Sequence, residues 1–379
     1  MFISHITLKN WKNFDSVDID VSQRLFIVGP NASGKSNFLD SLRFMRDITK
    51  QGGGLQYAVA QRGGVSKIRS LSARKQSDVE ISITFDDSGV KWFYSLVFAQ
   101  NGHGNHETVV KQEVIKKNDE TILSRPTDDD RADPELLTQT HLEQITTNKD
   151  FREINRFFSS VKYLHLVPQL LKYPQAFSGS HLPDDPFGKG FLTKIAKTPE
   201  KNRTSWLNKI QAALKEVVPQ LESLHYTEEA GIPHLEVLYK HWRAHGAKQN
   251  ETQLSDGTLR LIGLLWSLFE NPGMLLLEEP ELSLHTAIVE DLAKILYSAQ
   301  RAKRKQILLT THSPELLSDN SISLSEILVL SPSPDGTEAT LASSKEEIVN
   351  LLQSGFSPAE SVFPTTRKSI SQIQGDLFS

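Results

Sequence analysis

Residues 29–36 read Gly29-Pro30-Asn31-Ala32-Ser33-Gly34-Lys35-Ser36, the full G-x-x-x-x-G-K-[ST] pattern. An apolar run, Leu25-Phe26-Ile27-Val28, precedes it, and a helix-like stretch, 37–48, follows. A glycine-rich turn between a buried strand and a helix leaves few folds open. The glycines let the backbone curl so that successive N–H groups point inward at phosphate oxygens. The N-terminus of the helix adds a partial positive charge. These residue types predict a nucleotide phosphate loop, with Lys35 reaching the outer phosphates and Ser36 holding Mg²⁺.

A chain of 379 residues suits two packed lobes better than one. The net charge of −4 gives no general attraction to nucleic acid or membrane, although local basic patches remain open. Cysteine is absent, which excludes disulfides, thiol catalysis and cysteine-ligated metals. No signal-peptide h-region is visible at 1–10, and the best apolar run, 261–269, is too short to span a bilayer. The expectation is a cytoplasmic protein with no membrane partner.

Alternation and turn residues organise the rest. Paired strands are expected at 2–9 and 17–28, and further antiparallel strands at 79–85, 92–99 and 109–116, with turns at 86–89 and 101–104. The 124–135 stretch, with Asp128-Asp129-Asp130 and two prolines, reads as a solvated loop. Helix is expected over 136–158, a strand-like run over 161–167, and loop over 168–190. Residues 191–224 read as helical, with Trp206, Ile210, Leu214 and Val217/Val218 on one face. A strand is expected at 234–239 and exposed chain at 243–252. Residues 259–269 and 285–300 read as helices, 274–277 and 307–311 as buried strands, and the last 40 residues as a polar tail. No internal repeat or long heptad array is present.

Three further elements carry chemistry. Leu275-Leu276-Leu277-Glu278-Glu279-Pro280-Glu281 is an apolar strand that ends in acids, at the edge where open α/β sheets bind ligands. The first acid, Glu278, can hold Mg²⁺ and the second, Glu279, can act as general base. Leu254-Ser255-Asp256-Gly257 opens a helix, with Ser255 as N-cap and Gly257 leaving first-turn N–H groups bare for an anion. Leu308-Leu309-Thr310-Thr311-His312-Ser313-Pro314 ends a buried strand in a polar switch, where His312 could hydrogen-bond a terminal phosphate or a water.

In this order, these elements resemble the nucleotide-binding head of ABC-type ATPases of the RecF/SMC/OLD group. Leu8-Lys9-Asn10-Trp11-Lys12-Asn13-Phe14 resembles that group's N-terminal strand and turn, and 29–37 its Walker A loop through Asn37. Residues 254–257 resemble the signature motif, 278–285 the Walker B and D-loop of OLD-like members, and 311–314 the switch histidine. The resemblance implies an α/β fold: an antiparallel β lobe, a mostly parallel core sheet and an inserted helical subdomain. The expected divisions are lobe I (1–124), the insertion (125–250), lobe II (251–350) and a tail (351–379). It also implies ATP and Mg²⁺ as ligands, with Asn13, Phe14, Gly29, Asn31, Ser33, Gly34, Lys35, Ser36, Asn37, Ser255 and Gly257 on the nucleotide. Ser36 and Glu278 would hold the metal, and Glu279 and His312 would be catalytic. Two departures stand out: Glu278 occupies a position usually held by Asp, and the Q-loop glutamine has two candidates, Gln61 and Gln169.

The resemblance further implies an ATP-sandwiched homodimer, each ATP lying between the phosphate loop of one subunit and Ser255/Gly257 of the other. OLD-family proteins carry a C-terminal Toprim nuclease, but no Glu plus Asp-x-Asp set follows His312, so no nuclease activity is expected here. The expected role is the ATPase of a bacterial anti-phage system that controls a separate nuclease or toxin. The alternative is a RecF-like DNA clamp using Lys67/Arg69/Arg74/Lys75 and Arg301/Lys303/Arg304/Lys305. A non-hydrolysing ATP-dependent scaffold is a further alternative, and a transporter motor fits the signature and the Asn13-Phe14 turn least well.

Overall fold

The computed structural model describes residues 1–70, 78–101, 107–176, 184–240, 247–270 and 273–366. These form two compact units. The first comprises the described residues of Met1–Val161, Gly273–Leu276 and Lys305–Ser379, and the second those of Lys162–Pro272 and Leu277–Arg304. The first part of the expected insertion, 125–161, groups with the phosphate loop, and the rest falls in the second unit.

The first unit opens with β1 (Phe2–Trp11), β2 (Phe14–Asp20) and β3 (Arg24–Val28). The 17–28 stretch is thus two strands rather than one, and its burial explains the break. Along β2 buried and exposed residues are interspersed, as suits a strand with one wet face, whereas all five residues of β3 are buried. β4 (Val79–Asp87), β5 (Val90–Gln100), β6 (Thr108–Lys117) and β7 (Glu120–Arg125) complete an antiparallel sheet in the order β2-β1-β4-β5-β6-β7. Sequence reasoning missed β7, only one of whose six residues is buried, so it gives little apolar signal. The Ser88-Gly89 turn has φ of 56° and 93°, the geometry a two-residue hairpin needs. Of the turn expected at 101–104, residues 102–104 lie outside the described residues.

The Lys35–Thr49 helix packs on this sheet. Phe44 meets Trp11 edge-on at 5.3 Å and stacks on Phe98 at 5.2 Å. Helix was expected over 136–158. Instead there are short 3-10 turns at Pro134–Thr138 and Lys149–Phe151, and an α-helix only at Arg152–Ser159. The acidic 124–135 stretch is not simply solvated. Asp128–Ala132 is a helix with a Thr127 capping box, and Asp130 is buried against Arg125, 2.6 Å from Nη2. Arg125 also donates to Glu113 at 3.2 Å, and both side chains are fully buried.

The second unit holds β8 (Lys162–Leu164), β9 (Leu221–Glu229), β10 (Ile232–Tyr239) and β11 (Ala247–Asn250), the last three forming a sheet in the order β11-β10-β9. β9 takes up the end of the run expected as helix. The helices Phe191–Lys197 and Glu200–Val217 precede it, and Leu207, Ile210 and Leu214 form the buried stripe of the longer one. Val217, expected on that face, is exposed. The 243–252 stretch was expected to be exposed, but Glu251 is buried and paired with His234 at 2.8 Å. Its first part, 243–246, lies outside the described residues. Asp256–Phe269 and Thr286–Lys303 are the helices expected near 259–269 and 285–300.

β12 (Leu275–Glu278) runs from the first unit into the second after Leu276. β13 (Ile307–Thr311), β14 (Ile327–Ser333) and β15 (Gly336–Leu341) return to the first unit, whose core sheet has the order β15-β14-β3-β13-β12. β13 and β14 flank β3 in parallel, and β15 is antiparallel to β14. The buried Gln306 side chain joins the two sheets of this unit. Its amide donates to Ile3 O at 2.7 Å and accepts from Ile3 N at 2.8 Å. Beyond β15, Glu346–Gln353 and Pro358–Thr366 are helices that bury Ile348, Ala359 and Val362, so the polar tail begins later than expected. Residues 367–379 lie outside the described residues. No helix among the described residues is long and apolar enough to cross a membrane.

Arg125 is the hub of a buried charge cluster, and removing it strands two carboxylates. Arg125→Met is expected to lower stability by about 3–5 kcal/mol at pH 7, measured by urea unfolding. Hydrogen bonding to Arg125 holds Asp130 below the usual carboxylate range. In the parent this contribution is complete above the ordinary carboxylate pKa and is lost only as pH falls through the depressed folded value. The difference between parent and variant should therefore narrow on acidification.

Candidate functional site

The phosphate loop follows β3, the central strand of the core sheet, and its shape is set by close approaches. Gly34 has φ +97°, and a Cβ there would lie 2.1 Å from Asn13 Nδ2. A Cβ on Gly29 would meet Ser33 Oγ at 2.6 Å and Leu330 O at 2.7 Å. Both positions therefore require glycine. Lys35 is buried and its Nζ donates to Gly29 O at 3.1 Å and Pro30 O at 3.2 Å. Ser33 Oγ is buried without a partner, an orphan hydroxyl inside the loop. Asn31 and Ser36 are exposed.

Asn13 braces this loop. Its Nδ2 donates to Ser33 O at 3.0 Å and Thr337 Oγ1 at 2.8 Å, and its Oδ1 accepts from Asn37 Nδ2 at 2.7 Å. Thr337 N donates back to Asn13 O at 2.8 Å. Asn37 in turn accepts from Trp11 Nε1, at 2.7 Å, on its carbonyl. Asn13 thus acts by shaping the loop. Phe14, expected at the nucleotide, is wholly buried and sits edge-on to Phe38 at 6.4 Å, so its side chain belongs to the core. Thr337 went unnoticed in the sequence because it stands 324 residues from the asparagine it holds.

A polar cavity of about 1070 Å³ adjoins the loop, lined by Ser36, Asn37, Lys12, Asn13, Gln61, Arg62, Lys67, Arg69 and the 333–336 turn among others. In its wall Arg62 grips Asp40 with two bonds of 2.8 and 2.9 Å, and Lys12 Nζ lies 2.6 Å from the same carboxylate. Burial alone would raise the Asp40 pKa, but these two cations hold it below its ordinary value. Of the Q-loop candidates, Gln61 lines this cavity, while Gln169 in the second unit donates to Asp256 at 3.1 Å. Lys67 and Arg69, expected as DNA contacts, also line it, and Arg74 and Lys75 lie outside the described residues. Lys305 is buried, whereas Arg301, Lys303 and Arg304 are exposed.

His312 is exposed and leaves the sheet directly after β13. Register pairs Thr311 with Val28, so His312 and Gly29 are the next residues on neighbouring parallel strands. Both emerge at the carboxyl edge, where α/β sheets bind ligands.

Ser255, Gly257, Glu278 and Glu279 belong to the second unit. Ser255 caps its helix, its Oγ accepting from Thr258 N at 3.1 Å. Asp256 is held by Lys172 Nζ at 2.6 Å. A Cβ on Gly257 would lie 2.4 Å from Ser283 O, so backbone crowding by itself demands this glycine. Ser283 and Glu279 both have left-handed backbones, with φ 64° and 44°. Arg260 donates to Leu166 O and lies 3.5 Å from Glu279 O. Burial lowers its pKa, opposed by Glu281, Asp256 and Glu279. Glu278 accepts a hydrogen bond from Tyr163.

These groups suit a nucleotide with Mg²⁺. In the first unit the orphan hydroxyl and the glycine cradle fit phosphate oxygens, and Ser36 offers the hard oxygen that Mg²⁺ prefers. Among the described residues there is no cluster of three His, Cys, Asp or Glu that could hold a metal by itself.

Two family descriptions match the chain: "AAA domain, putative AbiEii toxin, Type IV TA system" over residues 25–318 and "P-loop containing region of AAA domain" over residues 3–45. Among curated proteins, Endonuclease GajA of Bacillus cereus (strain VD045) is 23% identical over 345 residues, covering 84% of this chain and 56% of GajA. The chain thus spans about half the length of that relative. The taurine import ATP-binding protein TauB of Yersinia pestis bv. Antiqua is 38% identical over 82 residues, 22% of this chain and 31% of TauB. Among solved structures, an SmcHead bound to the C-winged helix domain of ScpA aligns with a TM-score of 0.56 at 16% identity, covering 90% of this chain and 98% of its own. The SMC head domain from Thermotoga maritima aligns with a TM-score of 0.50 at 15% identity, covering 90% and 99%. What is shared at such identity is the fold, an α/β ATPase head with antiparallel and mixed sheets.

Gly34→Ala forces a side chain onto Asn13 at a left-handed position. Urea unfolding is expected to show a loss of roughly 1–3 kcal/mol, and a fluorescent ATP analogue should no longer bind.

Proposed function

The chain belongs to the family described as AAA domain, putative AbiEii toxin, Type IV TA system, and from that premise we propose that it is an ATP-hydrolysing switch. In this reading it forms a homodimer around ATP in the cytoplasm and controls a separate effector protein, such as a nuclease or toxin, in anti-phage defence. The observation that carries the reading is the phosphate loop: two glycines where no Cβ fits, a buried lysine folded onto the loop, and an exposed serine at the head of the helix.

Lys35 and the loop N–H groups bind the phosphates, with Asn31, Ser33 and Asn37 completing the loop. Ser36 and Glu278 would hold Mg²⁺, which would neutralise phosphate charge when bound. Glu279 takes the proton of the attacking water. His312 donates to the terminal phosphate, as its place beside the loop supports. Ser255 and Gly257 of the other protomer close the site, because a helix N-terminus offers N–H groups to an anion. Charge-assisted bonds across the dimer last while the terminal phosphate remains, and hydrolysis releases them.

The toxin and TA system in the family's description, and the endonuclease named among the relatives, support an effector of that kind. The exposed Arg301, Lys303 and Arg304 support a second reading, a DNA clamp, marked by duplex binding that weakens steeply with salt.

Glu279→Gln is expected to bind ATP, accumulate as dimer in size-exclusion chromatography and release phosphate at least about 100-fold more slowly. Hydrolysis at the parent rate would remove Glu279 as the base. Ser255→Arg should keep ATP binding by the monomer and lose turnover; loss of both would point to misfolding.

A further inference from the structure

Tyr163 lies in β8, 6% exposed, and its hydroxyl donates to Glu278 Oε2. A buried phenol needs an acceptor, and here the acceptor is the carboxylate that the nucleotide reading gives to the metal. Glu278 has one more rotatable bond than the aspartate usual at this position. A longer side chain has more rotamers to lose when it binds a cation. The Tyr163 hydroxyl takes one lone pair of Oε2 and so limits the directions the carboxylate can face.

The nearby cation does not replace it. Arg260 spends Nη2 on Leu166 O and approaches the Glu279 backbone rather than the Glu278 carboxylate. Leu164 and Leu166, which follow Tyr163 in the chain, line a small cavity together with Arg260, Glu278 and Glu279, so this stretch lies against both acids.

We infer that Tyr163 is the positioning residue for Glu278, orienting the longer carboxylate for Mg²⁺ in place of the usual aspartate. This rests on the nucleotide reading above. Hydrogen-bond partners of metal ligands typically change metal affinity 10–100-fold when removed.

The test uses the full chain saturated with a fluorescent, non-hydrolysable ATP analogue and titrated with Mg²⁺. Tyr163→Phe, which keeps the ring, is expected to raise the half-saturating Mg²⁺ concentration about tenfold and to leave analogue binding in EDTA unchanged. In a Glu278→Asp background the same substitution should add nothing, because the shorter carboxylate draws back from the hydroxyl. Parent-like Mg²⁺ dependence in Tyr163→Phe overturns the inference, as does an equal rise in both backgrounds, which would mark a packing effect. A parent protein that takes up no analogue at any Mg²⁺ concentration overturns the nucleotide reading and this inference with it.

Discussion

The contact between Asn13 and Gly34 is the constraint on which the phosphate loop depends. Asn13 sits in the turn between the first two strands, and its amide fills the space where any Gly34 side chain would go. Both of its donors and its acceptor are spent on the loop, on the helix that follows and on Thr337. A half-buried amide so fully satisfied specifies one geometry, since any shift would leave polar groups unpaired. The antiparallel sheet, the phosphate loop and the last hairpin of the core sheet therefore meet on one side chain.

Electrostatics behind the loop follow the same economy. Asp40 lies on the helix that begins at Lys35, and Arg62 and Lys12 converge on it. The helix is thereby tied to segments on both sides of it in the chain. In the second unit, Lys172 fastens the turn that begins the Asp256–Phe269 helix, and Tyr163 fastens Glu278. These anchors come from β8 and the short helix Pro168–Lys172 just after it. One stretch of chain thus supports both the acids and the capping turn.

Much of the local structure at the candidate residues was legible because the motifs are local. The phosphate loop, the acidic strand end, the Ser255 cap and the strand before His312 each occupy a few consecutive residues with a fixed periodicity or turn chemistry. What sequence reasoning missed is non-local or weakly patterned. Phe14 was grouped with the nucleotide when its aromatic ring belongs to the core. The 136–158 stretch was given helical periodicity throughout, yet it is α-helical only from Arg152, and Leu142 and Phe151 before it pack from turns. Asp130 was read as solvated because nothing in the sequence announces that Arg125 closes over it.

The sequence alone determined the type of fold and the chemistry of its loop, because a glycine-rich turn between a buried strand and a helix admits few backbones, and lysine and serine at its end admit few ligands. Tertiary structure decided which residues hold that chemistry in place. Thr337 reaches Asn13 from the far end of the chain, Ser283 crowds Gly257, and Tyr163 turns to Glu278. Each is a contact between residues far apart in sequence or fixed by a backbone turn. Periodicity and composition are blind to such contacts, because they describe how a segment buries its own faces and not which distant group it meets there.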